Sequence, residues 1–170
     1  VIGYLVLSTR CLLCAVLLVS VSTKLLDFPA FLDWVRRLTV VPERRVPTVG
    51  VLMTVAETAT LVLLIVPAWL AGLVSAAVTM SFFAGSAVFL VRRGIAVPCR
   101  CFGEATAPMG VVEIVRNTLL TAVATAAAAV TVLDPQPTPP APAIILAILL
   151  GGAIGLVITR LDDLRLMFAQ

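Results

Sequence analysis

Histidine is absent from all 170 residues, and lysine occurs once, at Lys24. Without histidine there is no Ser-His hydrolase triad, no histidine-ligated haem and none of the usual zinc or copper sites. Charge is also scarce. Asp, Glu, Lys and Arg together make up 12% of the chain, against about 25% in an ordinary soluble domain. Apolar residues reach 61% and the mean hydropathy is +1.16, so too few polar side chains exist to coat a water-facing surface. A soluble enzyme, a disordered chain and a collagen are all excluded. What is present is the material of a small integral membrane protein, with four cysteines as its evident redox groups.

Crossing about 30 Å of hydrocarbon takes about 20 apolar residues in a helix. Five stretches meet that requirement, at 4–23, 47–67, 70–91, 111–133 and 141–159. They predict an all-α integral membrane protein: a four-helix transmembrane bundle plus a fifth C-terminal transmembrane helix, in one domain spanning 1–170. The first run lacks a preceding basic segment and is too long for a signal peptide, so it reads as a span. Pro67-Ala68-Trp69 is so short a link that the second and third spans are antiparallel neighbours. Asp134-Pro135-Gln136-Pro137-Thr138-Pro139-Pro140 is a stiff breaker before the fifth. On that last span Ala147, Gly151 and Gly155 recur every four residues, a spacing that permits close helix packing.

Two connections are long. Segment 28–38 is apolar on one side and charged on the other, and reads as a short interfacial helix in the headgroup plane. The loop 92–110 carries Cys99-Arg100-Cys101-Phe102-Gly103 and is unusually apolar for an exposed connection. Lys24, Arg36, Arg37, Arg44, Arg45, Arg92, Arg93, Arg100, Arg160 and Arg165 all fall on one side of the membrane. The positive-inside rule makes that side cytoplasmic, with the N-terminus outside and the C-terminus inside. The net charge of +3 therefore reports orientation in a bilayer, not nucleic-acid binding. Arginine's predominance over lysine fits a GC-rich bacterial genome, and the expected location is the bacterial inner membrane.

Arg10 and Glu57 lie inside apolar spans, where a charge costs at least about 2.5–3.5 kcal/mol. Counting inward from opposite ends of antiparallel helices puts them at similar depth, so a buried Arg10–Glu57 pair is expected. It serves either as a helix clamp or as a device that tunes and protonates nearby thiols. Glu113, Arg116 and Asn117, at the cytoplasmic end of the fourth span, are placed to extend the network.

Cys11 and Cys14 stand at i and i+3 on one helical face, and Arg10 is four residues before Cys14. A neighbouring cation favours the thiolate, the reactive form of cysteine; buried cysteine is otherwise a small inert hydrophobe. Cys99-Arg100-Cys101 is the stronger signal because it lies in a loop, flanks a cation and precedes a flexible Phe-Gly. A zinc site would need all four cysteines together, so no metal is expected. A structural disulfide does not suit a reducing cytoplasm, which leaves a reversible dithiol–disulfide pair.

Arg10, Lys24-Leu25-Leu26-Asp27, Glu57, Cys99-x-Cys101-Phe102-Gly103 and Arg116-Asn117 together resemble the MauE family of the wider DoxX-like group, over residues 4–133. The resemblance implies a four-helix core and thiol–disulfide chemistry beside a thioredoxin-like partner, as in maturation of methylamine dehydrogenase. The resulting expectation is a membrane thiol–disulfide oxidoreductase. Its catalytic residues are Cys99, Cys101, Cys11 and Cys14, tuned by Arg10, Glu57 and Arg100. Lys24, Asp27, Arg116 and Asn117 form the supporting network. Two alternatives stay open: thiol oxidation coupled to a lipid quinone, and a non-enzymatic anchor or assembly factor for an envelope redox protein.

Overall fold

The computed structural model describes residues 2–95, 110–133 and 141–159. Among them every regular element is helical: α1 (Ile2–Leu26), α2 (Phe28–Arg37), a single 3-10 turn (Glu43–Arg45), α3 (Val46–Ile65), α4 (Trp69–Arg92), α5 (Val111–Leu133) and α6 (Ala141–Thr159). The helices α1, α3, α4 and α5 are long and apolar enough to cross a membrane. The stretch from Ile144 to Thr159 in α6 is shorter than those four.

The four long helices close a ring in which α1 packs on α3, α3 on α4, α4 on α5 and α5 back on α1. Their burial is that of a protein dissolved in hydrocarbon. On α3 the buried positions are Val46, Gly50, Thr54, Glu57, Thr60, Leu61 and Leu64, one stripe at helical spacing. The outward positions Val51, Leu52, Val55, Val62 and Ile65 are exposed and apolar. An apolar outside around a partly polar inside is what a lipid solvent selects.

Local chemistry sets the ends. Asp27 caps α2, its Oδ1 accepting from Ala30 N at 3.2 Å. The helix is amphipathic as expected, burying Phe31, Trp34 and Val35 and exposing the ion-paired Asp33 and Arg36. Its apolar face rests on Val46 of α3 and Leu90 of α4. At the end of α4, Gly94 takes φ +68°, which lets Gly94 N reach Val91 O and Ile95 N reach Leu90 O. This is a Schellman stop that a side chain with a Cβ would strain.

Two close approaches set the helix spacing. A Cβ at Gly72 would come within 2.6 Å of Leu63 O, so only glycine allows α3 and α4 to meet directly after their short link. On α6, a Cβ at Gly151 would lie 2.6 Å from Ser8 O and 2.8 Å from Cys11 Cβ. One at Gly155 would lie 2.8 Å from Ala15 Cβ. With Ala147 also buried, the small-residue face of α6 is the face that lies on α1. Between α3 and α4, Thr60 Oγ1 bonds Ser75 Oγ at 2.7 Å and Thr79 Oγ1 at 3.2 Å, a polar tie inside the bundle.

Candidate functional site

Charge enters the bundle at two levels of α1. At the first, Arg10 is 8% exposed. Its Nη2 donates to the carbonyl of Leu64, and its guanidinium carbon lies 4.6 Å from the centre of the Trp69 ring. Leu64 belongs to the last turn of α3, where carbonyls lack helical partners and the helix carries partial negative charge. A helix end and an indole face thus replace a carboxylate as counter-charge. Arg10 Nε is buried with no hydrogen-bond partner, and among the described residues no carboxylate pairs with this side chain.

At the second level, Lys24 Nζ lies 2.7 Å from each oxygen of Glu57 and 2.7 Å from Ser20 Oγ. Ser20 in turn donates to Glu57 Oε2 at 3.0 Å. The three donors of the ammonium meet three acceptors, so the charge is fully satisfied. Phe31 and Phe83 flank it, with ring centres 5.4 and 5.8 Å from Nζ. All three polar residues are buried, Glu57 completely.

The expected Arg10–Glu57 pair is therefore replaced by Lys24–Glu57. Helical side chains lean toward the N-terminus of their own helix. On antiparallel α1 and α3, Arg10 leans toward the Trp69 end and Glu57 leans away from it. Arg10 thus meets Leu64, about two turns of α3 beyond Glu57. Lys24 leans back into the bundle, where Glu57 comes to meet it. A residue read as a topology signal at the membrane edge is in fact 1% exposed and one of the most buried side chains in the protein. Ser20 carries one signal in the sequence, its i, i+4 spacing to Lys24.

Cys11 and Cys14 are free thiols, each partly buried. Both lie within electrostatic reach of the Arg10 guanidinium. Gly151 of α6 sits over Cys11, and Cys14 packs against the apolar core. Glu113, Arg116 and Asn117 at the start of α5 are all buried. Glu113 Oε2 accepts from Gly110 N at 2.6 Å and so holds the entry to that helix. Asp27 acts as the cap of α2. Cys99, Arg100 and Cys101 lie outside the described residues. Among the described residues no three Cys, Asp or Glu side chains cluster to hold a metal.

An apolar-coated helical bundle with charges sealed inside defines a polytopic membrane protein with a polar interior. The family model described as methylamine utilisation protein MauE matches residues 2–133, and the chain belongs to that family. The match ends before α6 begins. No curated protein and no solved structure matches the chain.

Proposed function

We propose that the chain is a thiol–disulfide oxidoreductase of the bacterial inner membrane, relaying reducing equivalents between its cysteine pairs and a thioredoxin-like partner. The observation that supports this most is the Arg10, Cys11, Cys14 constellation. Two free thiols share one face of α1 beside a buried guanidinium that, among the described residues, has no carboxylate. A thiolate formed at either sulfur supplies the missing counter-charge.

The exchange begins when a thiolate of the partner attacks one sulfur of a Cys99–Cys101 disulfide. That S–S bond breaks, a mixed disulfide forms and the other cysteine leaves as a thiolate. The partner's second thiol then displaces the chain, so the partner ends oxidised and Cys99 and Cys101 end as two thiols, with two electrons and two protons moved. The same sequence hands the pair on to a Cys11–Cys14 disulfide. The disulfide of an extracytoplasmic thioredoxin-like protein then accepts the two electrons and two protons, leaving Cys11 and Cys14 oxidised again. A helix holds i and i+3 Cβ atoms about 5–6 Å apart. A disulfide needs about 3.5–4.5 Å, so its closure requires a local tightening of α1. Arg100 beside the loop pair acts as Arg10 does beside the helix pair, and Lys24–Glu57 locks α1 to α3 below the inner pair.

In this reading α6 is a fifth span, the N-terminus is outside and the C-terminus inside. Exposed Arg36, Arg37, Arg44, Arg45, Arg92 and Arg93, all at one end of the bundle, support that orientation. The decisive experiment replaces Cys99 and Cys101 singly by serine. One of the two variants should accumulate a reductant-sensitive covalent complex with the thioredoxin-like partner, because the resolving thiol is gone. If the chain with all four cysteines changed to serine still supports partner maturation in cells, the redox function is wrong and the chain is an anchor or assembly factor.

A further inference from the structure

A second feature lies away from the thiols of α1. Between α2, α3, α4 and the first turns of α5 is a cavity of about 420 Å³, within the range of small-molecule sites. Its walls are apolar, with the rings of Trp34, Phe82 and Phe83 among them, and its polar residues include Glu113 and Asn117. Phe82 is 60% exposed on the outer surface of α4, so the cavity is reached from the lipid-facing side.

Asn117 is the anomaly. It is only 5% exposed, it lines the cavity, and no described residue hydrogen-bonds its carboxamide. Its amide faces the cavity, and a ligand that covers such a group without bonding it costs about 1–3 kcal/mol on the scale of protein mutations. A ligand that carries a carbonyl or hydroxyl oxygen satisfies it. The largely apolar walls disfavour a charged ligand, the Glu113 carboxyl disfavours an anion in particular, and that carboxyl is already engaged by Gly110 N. A lipid acyl chain fills the volume but leaves the amide unsatisfied. The aromatic walls favour a flat ring.

We propose that this cavity binds a membrane-soluble, uncharged ring of the quinone–hydroquinone class. Asn117 donates to a ring carbonyl or accepts from a ring hydroxyl, and Trp34, Phe82 and Phe83 pack against the ring. The site shares no residue with the Cys11/Cys14 pair. It goes beyond the thiol reading and stands or falls separately from it.

Decylubiquinone is a suitable probe, because quinones quench indole fluorescence and one of the two tryptophans lines the site. Titrated into the full chain in nanodiscs, it should give saturable quenching that persists in Trp69→Phe and vanishes in Trp34→Phe. Asn117→Leu, which keeps the volume and removes the hydrogen bond, should weaken binding about tenfold, the equivalent of about 1.4 kcal/mol. Gly85→Leu offers a second route: Gly85 lines the cavity, and a Cβ there meets nothing within 4 Å. The added side chain should fill the space and abolish saturable quenching without unfolding the protein. Should Asn117→Leu fail to fold, Gly85→Leu alone decides. The chain with all four cysteines as serine should bind as the parent does, so loss of thiol chemistry and loss of this site are read apart. Unsaturable quenching, quenching at Trp69 alone, binding unchanged by Gly85→Leu, or equal affinity for naphthalene, which has no oxygen, would each overturn the proposal.

Discussion

Removal of Glu57 tests the most buried electrostatic feature of the protein. Lys24 Nζ has three acceptors, two on Glu57 and one on Ser20, each at 2.7 Å. Glu57→Leu removes two of them and leaves an ammonium at 1% exposure with a single hydroxyl. Breaking one side of a buried pair typically costs about 3–5 kcal/mol, because the remaining charge is uncompensated. Lys24→Met should cost a similar amount for the converse reason. The double variant Lys24→Met/Glu57→Leu buries apolar groups of comparable volume and should lose less than the sum. The coupling energy is expected on the order of 2–3 kcal/mol, the upper part of the range for residues in contact. Denaturant unfolding in mixed micelles, run as a full double-mutant cycle, reads it directly. A parallel cycle on Arg10→Gln and Glu57→Gln should be additive within about 0.5 kcal/mol. Additivity at Lys24/Glu57 together with coupling at Arg10/Glu57 would refute the pairing and restore the arrangement expected from helix counting.

The remaining expectations concern the thiols and the outer helix. Gly151→Leu should cost about 1–3 kcal/mol by overpacking and lift α6 from α1, so that Cys11 alkylates faster; Gly152→Leu, where a Cβ meets open space, should do neither. Arg10→Gln should slow alkylation of Cys11 and Cys14 near neutral pH by lowering the thiolate fraction, and an unchanged rate would separate the guanidinium from the thiols. A membrane-impermeant maleimide, applied after reduction, should label Cys99 and Cys101 in inside-out but not right-side-out vesicles. Labelling only from outside would invert both the orientation and the direction of electron flow.

Much of the fold was readable because lipid-facing surfaces announce themselves. The apolar runs in α1, α3, α4 and α5 supply both the buried stripe and the exposed Val and Leu positions, so hydropathy finds them whatever their rotation. The helix α2 was legible because Phe31, Trp34, Val35 and Leu38 fall on one side at helical spacing, and all four are buried. The small-residue face of α6 was visible for the same reason. Depth was not. Hydropathy says that Glu57 is inside a span, but its partner depends on which way each side chain leans and how far the helix ends are staggered. Trp69 and Phe83 enter the charged sites through three-dimensional approach alone, each an ordinary residue in its own stretch of sequence, and Ser20 is marked only by its i, i+4 spacing to Lys24. The Asn117 cavity was equally hidden, because its walls are single residues of four helices whose mutual packing hydropathy does not reveal.

The two buried cations of α1 are handled in opposite ways, and the difference locates the chemistry. Lys24 has a full carboxylate, a hydroxyl and two aromatic rings, which leaves its ammonium no unsatisfied donor. Its role is to clamp α1 to α3. Arg10 has the end of a helix and an indole, both of them partial charges, and an Nε with nothing to donate to. A guanidinium stays protonated, so the deficit of negative charge at this level of the bundle is permanent. An anion that comes and goes is stabilised there while it exists and leaves no unpaired carboxylate when it is gone. A thiolate is such an anion, and two thiols stand within reach of Arg10. A fixed carboxylate beside Arg10 would make the helix more stable and the thiols less reactive. The predicted outcome of Trp69→Glu follows from this: a carboxylate placed against the guanidinium should raise stability or leave it unchanged, while slowing alkylation of Cys11 and Cys14. Faster alkylation in that variant would mean that Arg10 is a structural charge and that the thiols draw nothing from it.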